Sequence, residues 1–201
     1  MKASVVTLIT LLSFSTATPH KRRDGKCGGP PDPIKTCTKT LEALKWTVDD
    51  FDFHASYVFT NPAHQNSWGY VNFNVSNDVV PYTASCSASS SQLSDFFYGT
   101  VEYACTLAGT GVPAGAKVGF KFSRPAGTLE ISETIDCSDK LFSVSGATTL
   151  TLSCTDVTTE NPSWTPGQIY SAREIKCAPV DVTIGAGSVT ALKRLSARVY
   201  L

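Results

Sequence analysis

The stretch Val71-Asn72-Phe73-Asn74-Val75 alternates apolar and amide side chains with a period of two. That is the pattern of a strand with one face buried and the other wet. The same alternation returns in Tyr82/Ala84/Cys86/Ala88, Val101/Tyr103/Cys105/Leu107, Val118/Phe120/Phe122, Leu129/Ile131, Leu150/Leu152/Cys154 and Val180/Val182/Ile184. Turn-forming residues fall between these runs: Asn77-Asp78, Gly109-Thr110-Gly111, Arg124-Pro125-Ala126-Gly127 and Ser145-Gly146. Seven or eight short strands separated by turns specify an all-β chain, an antiparallel barrel or sandwich.

Outward from these runs the pattern changes. Trp46 and Val48 share a phase that Phe51, Phe53, Ala55, Tyr57 and Phe59 do not, which calls for a bulge or corner near Asp49-Asp50. Residues 61–67 and 156–167, with Pro62, Pro162 and Pro166, read as loops. Gly and Pro crowd residues 24–36, so 24–45 is expected to be an arm without regular structure. In the tail, 188–201, Val189, Leu192, Leu195 and Val199 stand at roughly helical spacing, which suits either a short amphipathic helix or a disordered end. The barrel domain itself is bounded at 46–187.

The chain has 201 residues with 17 basic and 17 acidic side chains, enough for one domain. Lys2 followed by the apolar run Val5 to Leu12 reads as a signal peptide over residues 1–17, with Ser15 and Ala17 as the small residues of a cleavage site. Lys21-Arg22-Arg23 behind it is either a dibasic processing site, making 18–23 a propeptide, or a solvated linker; its position favours processing. Lys193-Arg194 offers a second dibasic sequence. The first 23 residues carry four bases and no acid, so 13 bases would face 17 acids in the mature protein, a net charge of −4. Such a chain repels a phosphate backbone, and no later run approaches the roughly 20 apolar residues of a membrane span. Neither nucleic acid nor membrane is expected as a partner.

Export makes the seven cysteines disulfide candidates. No CxxC pair occurs and neither His54 nor His64 has a cysteine at zinc-finger spacing, so no metal and no cofactor is expected. Cys86 and Cys105 both lie on the inward phase of their strands, where a bridge would staple a loop of about 20 residues, worth about 3 kcal/mol in the chain-entropy model. Seven is odd, so one cysteine is free, joins another chain, or is lost with a trimmed segment.

Sites for chemistry are sparse. Asp49, Asp50 and Asp52 could suggest an acid–base pair, but Asp50 and Asp52 share a solvent-facing parity, and a paired acid needs one carboxyl in an apolar pocket. The calcium-loop, HExxH, GxSxG and GxxxxGK patterns are all missing from the sequence, and two histidines among many hydroxyls are slight support for a triad. No catalytic residue is assigned. Trp46 and Trp68 begin apolar strands and are expected in the core. Trp164, between Pro162 and Pro166 in a loop, is the candidate partner contact. Asn74-Val75-Ser76 is a glycosylation sequon whose asparagine points away from Val71, Phe73 and Val75.

Taken together, Trp46-x-Val48-x-x-Phe51, Gly69-x-Val71-x-Phe73-x-Val75, Cys86-Ser87-Ala88, Tyr103-x-Cys105 and Phe120-x-Phe122 resemble the fungal Alt a 1 family of secreted allergens and plant-defence elicitors, over about residues 37–185. The resemblance implies a disulfide-stapled antiparallel β-barrel, with bridges carried over to Cys86 and Cys105 and to Cys154 and Cys177. It places Cys37 where the founding allergen has a cysteine that links two subunits, so a homodimer is among the implied states. Cys27 and Cys137 depart from the family pattern; they could pair with each other or with Cys37. The implied role is that of a secreted, extracellular effector or elicitor that binds and does not catalyse. Its implied partners are a host plant protein, for example a pathogenesis-related protein, or a small phenolic ligand. The alternative reading is a carbohydrate-active or cell-wall-associated structural protein.

Overall fold

The computed structural model describes residues 33–137 and 140–192. These residues hold one helix, α1 (Pro33–Glu42), and twelve strands: β1 (Lys45–Asn61), β2 (His64–Asn77), β3 (Tyr82–Ser90), β4 (Tyr103–Ala104), β5 (Thr106–Gly109), β6 (Lys117–Ser123), β7 (Thr128–Cys137), β8 (Lys140–Thr149), β9 (Cys154–Glu160), β10 (Ser171–Cys177), β11 (Val180–Gly185) and β12 (Ser188–Ala191). All pairings between these strands are antiparallel, and they build two sheets. One runs β5-β3-β2-β1-β10-β9 with β11 also against β1; the other runs β12-β8-β7-β6-β4. The all-β expectation holds, with more and longer strands than the seven or eight read from the sequence.

The parity break in β1 is a bulge. Its register against both β11 and β2 shifts between Val48 and Asp52, and Asp50 turns to a φ of 56° with its N–H on Asp181 Oδ1 at 2.8 Å. The bulge lets Trp46 and Val48 on one side and Phe51, Phe53, Ala55 and Tyr57 on the other all point inward. It also lets one strand serve two partners along the same edge: β11 pairs with the first half of β1 and β10 with the second.

Between the sheets the rings of Phe51, Phe53, Phe73, Phe97, Phe120 and Phe122 meet in tilted and edge-on pairs, with centroids 4.8 to 6.3 Å apart. Each such ring, fully buried, contributes about 2–3 kcal/mol of apolar transfer. The chain crosses from one sheet to the other at Cys105: β4 belongs to the second sheet and β5 to the first. There Cys105 donates its N–H to Val118 O at 2.9 Å and is bonded to Cys86. A second bridge joins Cys154 and Cys177, directly opposite each other at the base of the β9–β10 hairpin. The third joins Cys37 to Cys137 and spans 100 residues. Of the three cysteines left open by the sequence, Cys27 lies outside the described residues.

Several expectations need correction. Residues 33–42, assigned to a featureless arm, form α1: Pro33 stands at the first helical position, where its missing N–H costs nothing, and Leu41 is buried against the core. Residues 61–67 are not a long loop, because β1 and β2 continue to a tight turn in which Asn61 Oδ1 accepts the N–H of Ala63 at 2.9 Å. Residues 154–160, with 156–160 expected in a loop, are β9, an edge strand exposed along its length whose polar residues gave no alternation to read. Leu150 and Leu152 belong to no strand; the strand before them is β8, with Phe142 and Val144 inward. The start of the tail, expected as either a short helix or a disordered end, is neither: Ser188–Ala191 is β12, paired with β8.

Candidate functional site

One end of the fold collects side chains, most of them polar, from five separate segments. Tyr57 and Phe59 end the inward row of β1, Gln65 is the second residue of β2, Leu93, Ser94 and Asp95 come from the connection after β3, Arg124 follows β6, and Arg173 lies on β10. Together they line a cleft of about 320 Å³.

Tyr57 is its centre. The hydroxyl donates to Ser94 O at 2.7 Å and accepts from Arg124 Nη1 at 3.3 Å. The same Nη1 lies 3.3 Å from Asp95 Oδ1, while the Arg124 guanidinium sits 4.9 Å from the centroid of the buried Phe53 ring. On the other side, Arg173 stands opposite Tyr57 in the β1–β10 register and lies over the Tyr57 ring at 5.1 Å. Its Nε and Nη2 both bond Asp156 of β9. These hydrogen bonds hold the Asp156 carboxyl below the usual carboxylate range and push the guanidinium of Arg173 up. Both guanidiniums are thus fixed at one edge by a carboxylate and on one face by a ring, an arrangement that orients their remaining N–H groups before any ligand arrives.

The connection after β3 owes its position to two buried rings. Phe96, at a φ of 67°, packs over Gly69, whose Cα leaves the ring its space, since a Cβ there would fall 2.6 Å from Phe96 Cγ. Arg124 N bonds Phe97 O at 2.9 Å, which ties the residue after β6 to this connection.

Beside the cleft, Thr60, Asn61, Trp164, Pro166, Gly167, Gln168 and Ile169 line a second hollow of about 420 Å³. Trp164 is in a loop as expected, but only half-exposed. Its Nε1 donates to Gln168 O at 3.0 Å and its ring meets Tyr170 edge-on at 5.8 Å. One role of Trp164 is therefore to set the shape of its own loop.

The other tryptophan expectation divides. Trp46 is buried, but Trp68, placed in the core by its position before an apolar run, is 43% exposed. The even residues of β2 face out, and Trp68 shares that parity with Tyr70, Asn72 and Asn74. Asn74 stands exposed between Asp49 and Ser85. On the same outer face His54 stacks on Tyr70 at 5.0 Å and bonds Asp52 Oδ2 at 3.0 Å. Asp49 and Asp50 lie at the bulge and His64 begins β2 exposed, so these residues are not gathered into one site. Among the described residues no group of three or more His, Cys, Asp or Glu is placed to hold a metal ion.

A second polar cluster lies inside the fold. Glu133 of β7 is 2% exposed, and its carboxylate accepts from Trp46 Nε1 at 2.7 Å, Asn77 Nδ2 at 2.9 Å and the Tyr82 hydroxyl at 2.9 Å. Burial raises the Glu133 carboxyl above its ordinary range against the opposing pull of these hydrogen bonds, and burial together with Glu133 pushes the Tyr82 hydroxyl up.

Sequence reasoning missed Tyr57, Asp95, Arg124 and Arg173 as a set. The available signal was a charge at an inward position: Arg173 is two residues from buried Ile175, and Arg124 stood in a stretch read only for its turn. No curated protein and no solved structure matches the chain. A family model described as Alternaria alternata allergen 1 matches residues 48–177, from the bulge of β1 to the last cysteine of β10. More than half of the chain lies within that match, and the chain belongs to the Alternaria alternata allergen 1 family.

Proposed function

We propose that this is a secreted, non-catalytic binding protein of the allergen type that engages host plant components, defence proteins among them, through the end of the fold that carries the Tyr57 cleft and the Trp164 loop. The observation that carries this reading is the cleft itself: two guanidiniums pre-set by rings and carboxylates, next to a half-exposed tryptophan. Such rigid, mixed polar and aromatic surfaces are the usual anchors of recognition. Family membership supports the allergen character. Three disulfides suit an oxidising compartment, in keeping with the signal peptide read over residues 1–17.

The test is infiltration of the purified mature protein into leaf tissue, with the oxidative burst as readout. The wild-type protein is expected to elicit it, and Trp164→Ala combined with Arg173→Gln to reduce it about tenfold while leaving the circular dichroism spectrum unchanged. A burst that is absent, or identical for both proteins, rejects the reading.

A further inference from the structure

We propose that the Tyr57 cleft is a site for a hydroxylated monocarboxylate the size of one sugar ring: a hexuronate unit, free or at the end of a polyuronide chain. This names the ligand of the site above and rests on the reading that the protein acts by binding.

The donors come first. Arg173 spends Nε and Nη2 on Asp156, which leaves Nη1, and Arg124 places Nη1 on Tyr57 and Asp95, which leaves Nε and Nη2. Both residues line the cleft. A carboxylate is the planar anion that guanidinium edges match, and charge-assisted hydrogen bonds of this kind are the strong ones. Because the rings of Phe53 and Tyr57 already restrain the two guanidiniums, little side-chain freedom is lost on binding.

Charge then limits the anion. Asp95 and Asp156 offset the two arginines, so the cluster sums to zero and a dianion would meet two carboxylates as well as two guanidiniums. A single negative charge fits better than a phosphate.

Acceptors decide the rest of the molecule. Gln65 donates Nε2 to Ser67 Oγ at 2.6 Å, which leaves its amide oxygen as an acceptor, and Asp95 has Oδ2 beside the oxygen that meets Arg124. Acceptors around an anion site call for a ligand that carries hydroxyl donors of its own; an aryl carboxylate would leave them unmatched. Phe59 and Leu93 give apolar wall for the C–H face of a pyranose, and about 320 Å³ holds one such ring and not a chain.

Titration of the mature, disulfide-bonded protein followed by two-dimensional NMR tests this, with galacturonate and trigalacturonate as probes and glucose, glucose 6-phosphate and benzoate as controls. Both uronates are expected to shift resonances of Tyr57, Gln65 and Asp95, with glucose and benzoate at least about tenfold weaker. Tighter binding of trigalacturonate than of galacturonate identifies a chain end as the source, and equal binding identifies the free sugar acid. Arg173→Gln, on the rim, is expected to weaken uronate binding about tenfold or more at an unchanged melting temperature. Arg124 lies against the core, so its replacement is not needed. Glucose 6-phosphate or benzoate binding as tightly as galacturonate, shifts confined to other surfaces, or no shifts at all would each overturn the assignment. Uronate binding without a leaf response would leave this site standing and remove the host-response reading; a leaf response without uronate binding would do the reverse.

Discussion

Glu133 and Asp156 are both hydrogen-bonded carboxylates, and the fold shifts them in opposite directions. Glu133 lies between the sheets with three neutral donors, and the cost of taking its charge out of water exceeds what those donors return. Asp156 lies on an exposed edge strand, where desolvation is small and the fork of Arg173 favours the ionised form. Three hydrogen bonds from neutral groups do not do what two from a guanidinium do. The interior cluster therefore serves stability and order: Trp46 from β1, Asn77 from the end of β2 and Tyr82 from the start of β3 are registered on one side chain of the opposite sheet. The cleft is built of charges that remain in reach of solvent, and it is there that a ligand can be met.

The largest expected effect is at Glu133. Glu133→Ala strands an indole N–H, an amide and a phenol in the interior, and should lower the unfolding free energy by about 4 kcal/mol, since each buried unpaired group costs about 1–3 kcal/mol. Denaturant titration at pH 7 measures it; a loss under about 1 kcal/mol would show that water replaces the carboxylate. Glu133→Gln keeps the shape and supplies the pH arm. A carboxyl whose folded pKa is raised binds more protons folded than unfolded just above its ordinary value of 4.5. Its contribution is then complete below that value and is lost as pH rises through the folded pKa. Wild-type stability relative to Glu133→Gln should therefore fall between pH 4.5 and neutrality. A difference that is flat or rises over this range contradicts the raised pKa.

How much of this was legible in the sequence follows the same division. Alternation located β2, β3, β6, β7 and β11 because each has one dry face, and the phase change in β1 announced the bulge at Asp50 because both halves bury large apolar side chains. It missed β9, whose seven residues are exposed on both faces, and it stopped short in β1 because Pro62 was read as the centre of a loop and not of a two-residue turn. Trp68 was misplaced although its parity was on the page: Val71 fixes odd residues inward, and Trp68 is even. The cleft was illegible for another reason. Its members come from positions 57, 65, 95, 124 and 173, and only the pairing of β1 with β10 and the tie from Arg124 to Phe97 bring them together. Glu133 could have been suspected, being in phase with Leu129 and Ile131 at inward positions, but its three donors could not.

Between the two clusters in expected size stands Gly69. A methyl group there would press on the ring of Phe96, so Gly69→Ala should cost about 1–3 kcal/mol by overpacking, and should also displace the connection that carries Ser94 and Asp95. The loss of stability is read by thermal unfolding. The displacement is read by the Tyr57 and Asp95 resonances, which should move although neither residue is altered. If stability falls while those resonances stay, the cleft is held by Arg124 and Tyr57 alone and the Phe96 anchor is dispensable.

The smallest effect on stability, and the most direct test of the contrast, is Arg173→Gln. The pair it breaks is exposed, so screening by water leaves little for folding and the unfolding midpoint should not move measurably. What should move is the titration of Asp156. A carboxyl whose pKa is depressed contributes its stabilisation above the unfolded value and loses it as pH falls through the folded one, the reverse of Glu133. Without the guanidinium, the Asp156 carboxyl should move up toward the ordinary carboxylate range, visible as an upward shift in its side-chain carbon resonance curve, while Glu133 titrates as before. An Asp156 curve unchanged by the substitution would mean that Arg124 carries the field at this end of the fold. The two guanidiniums would then act as one site with a shared charge and not as two separately tethered donors.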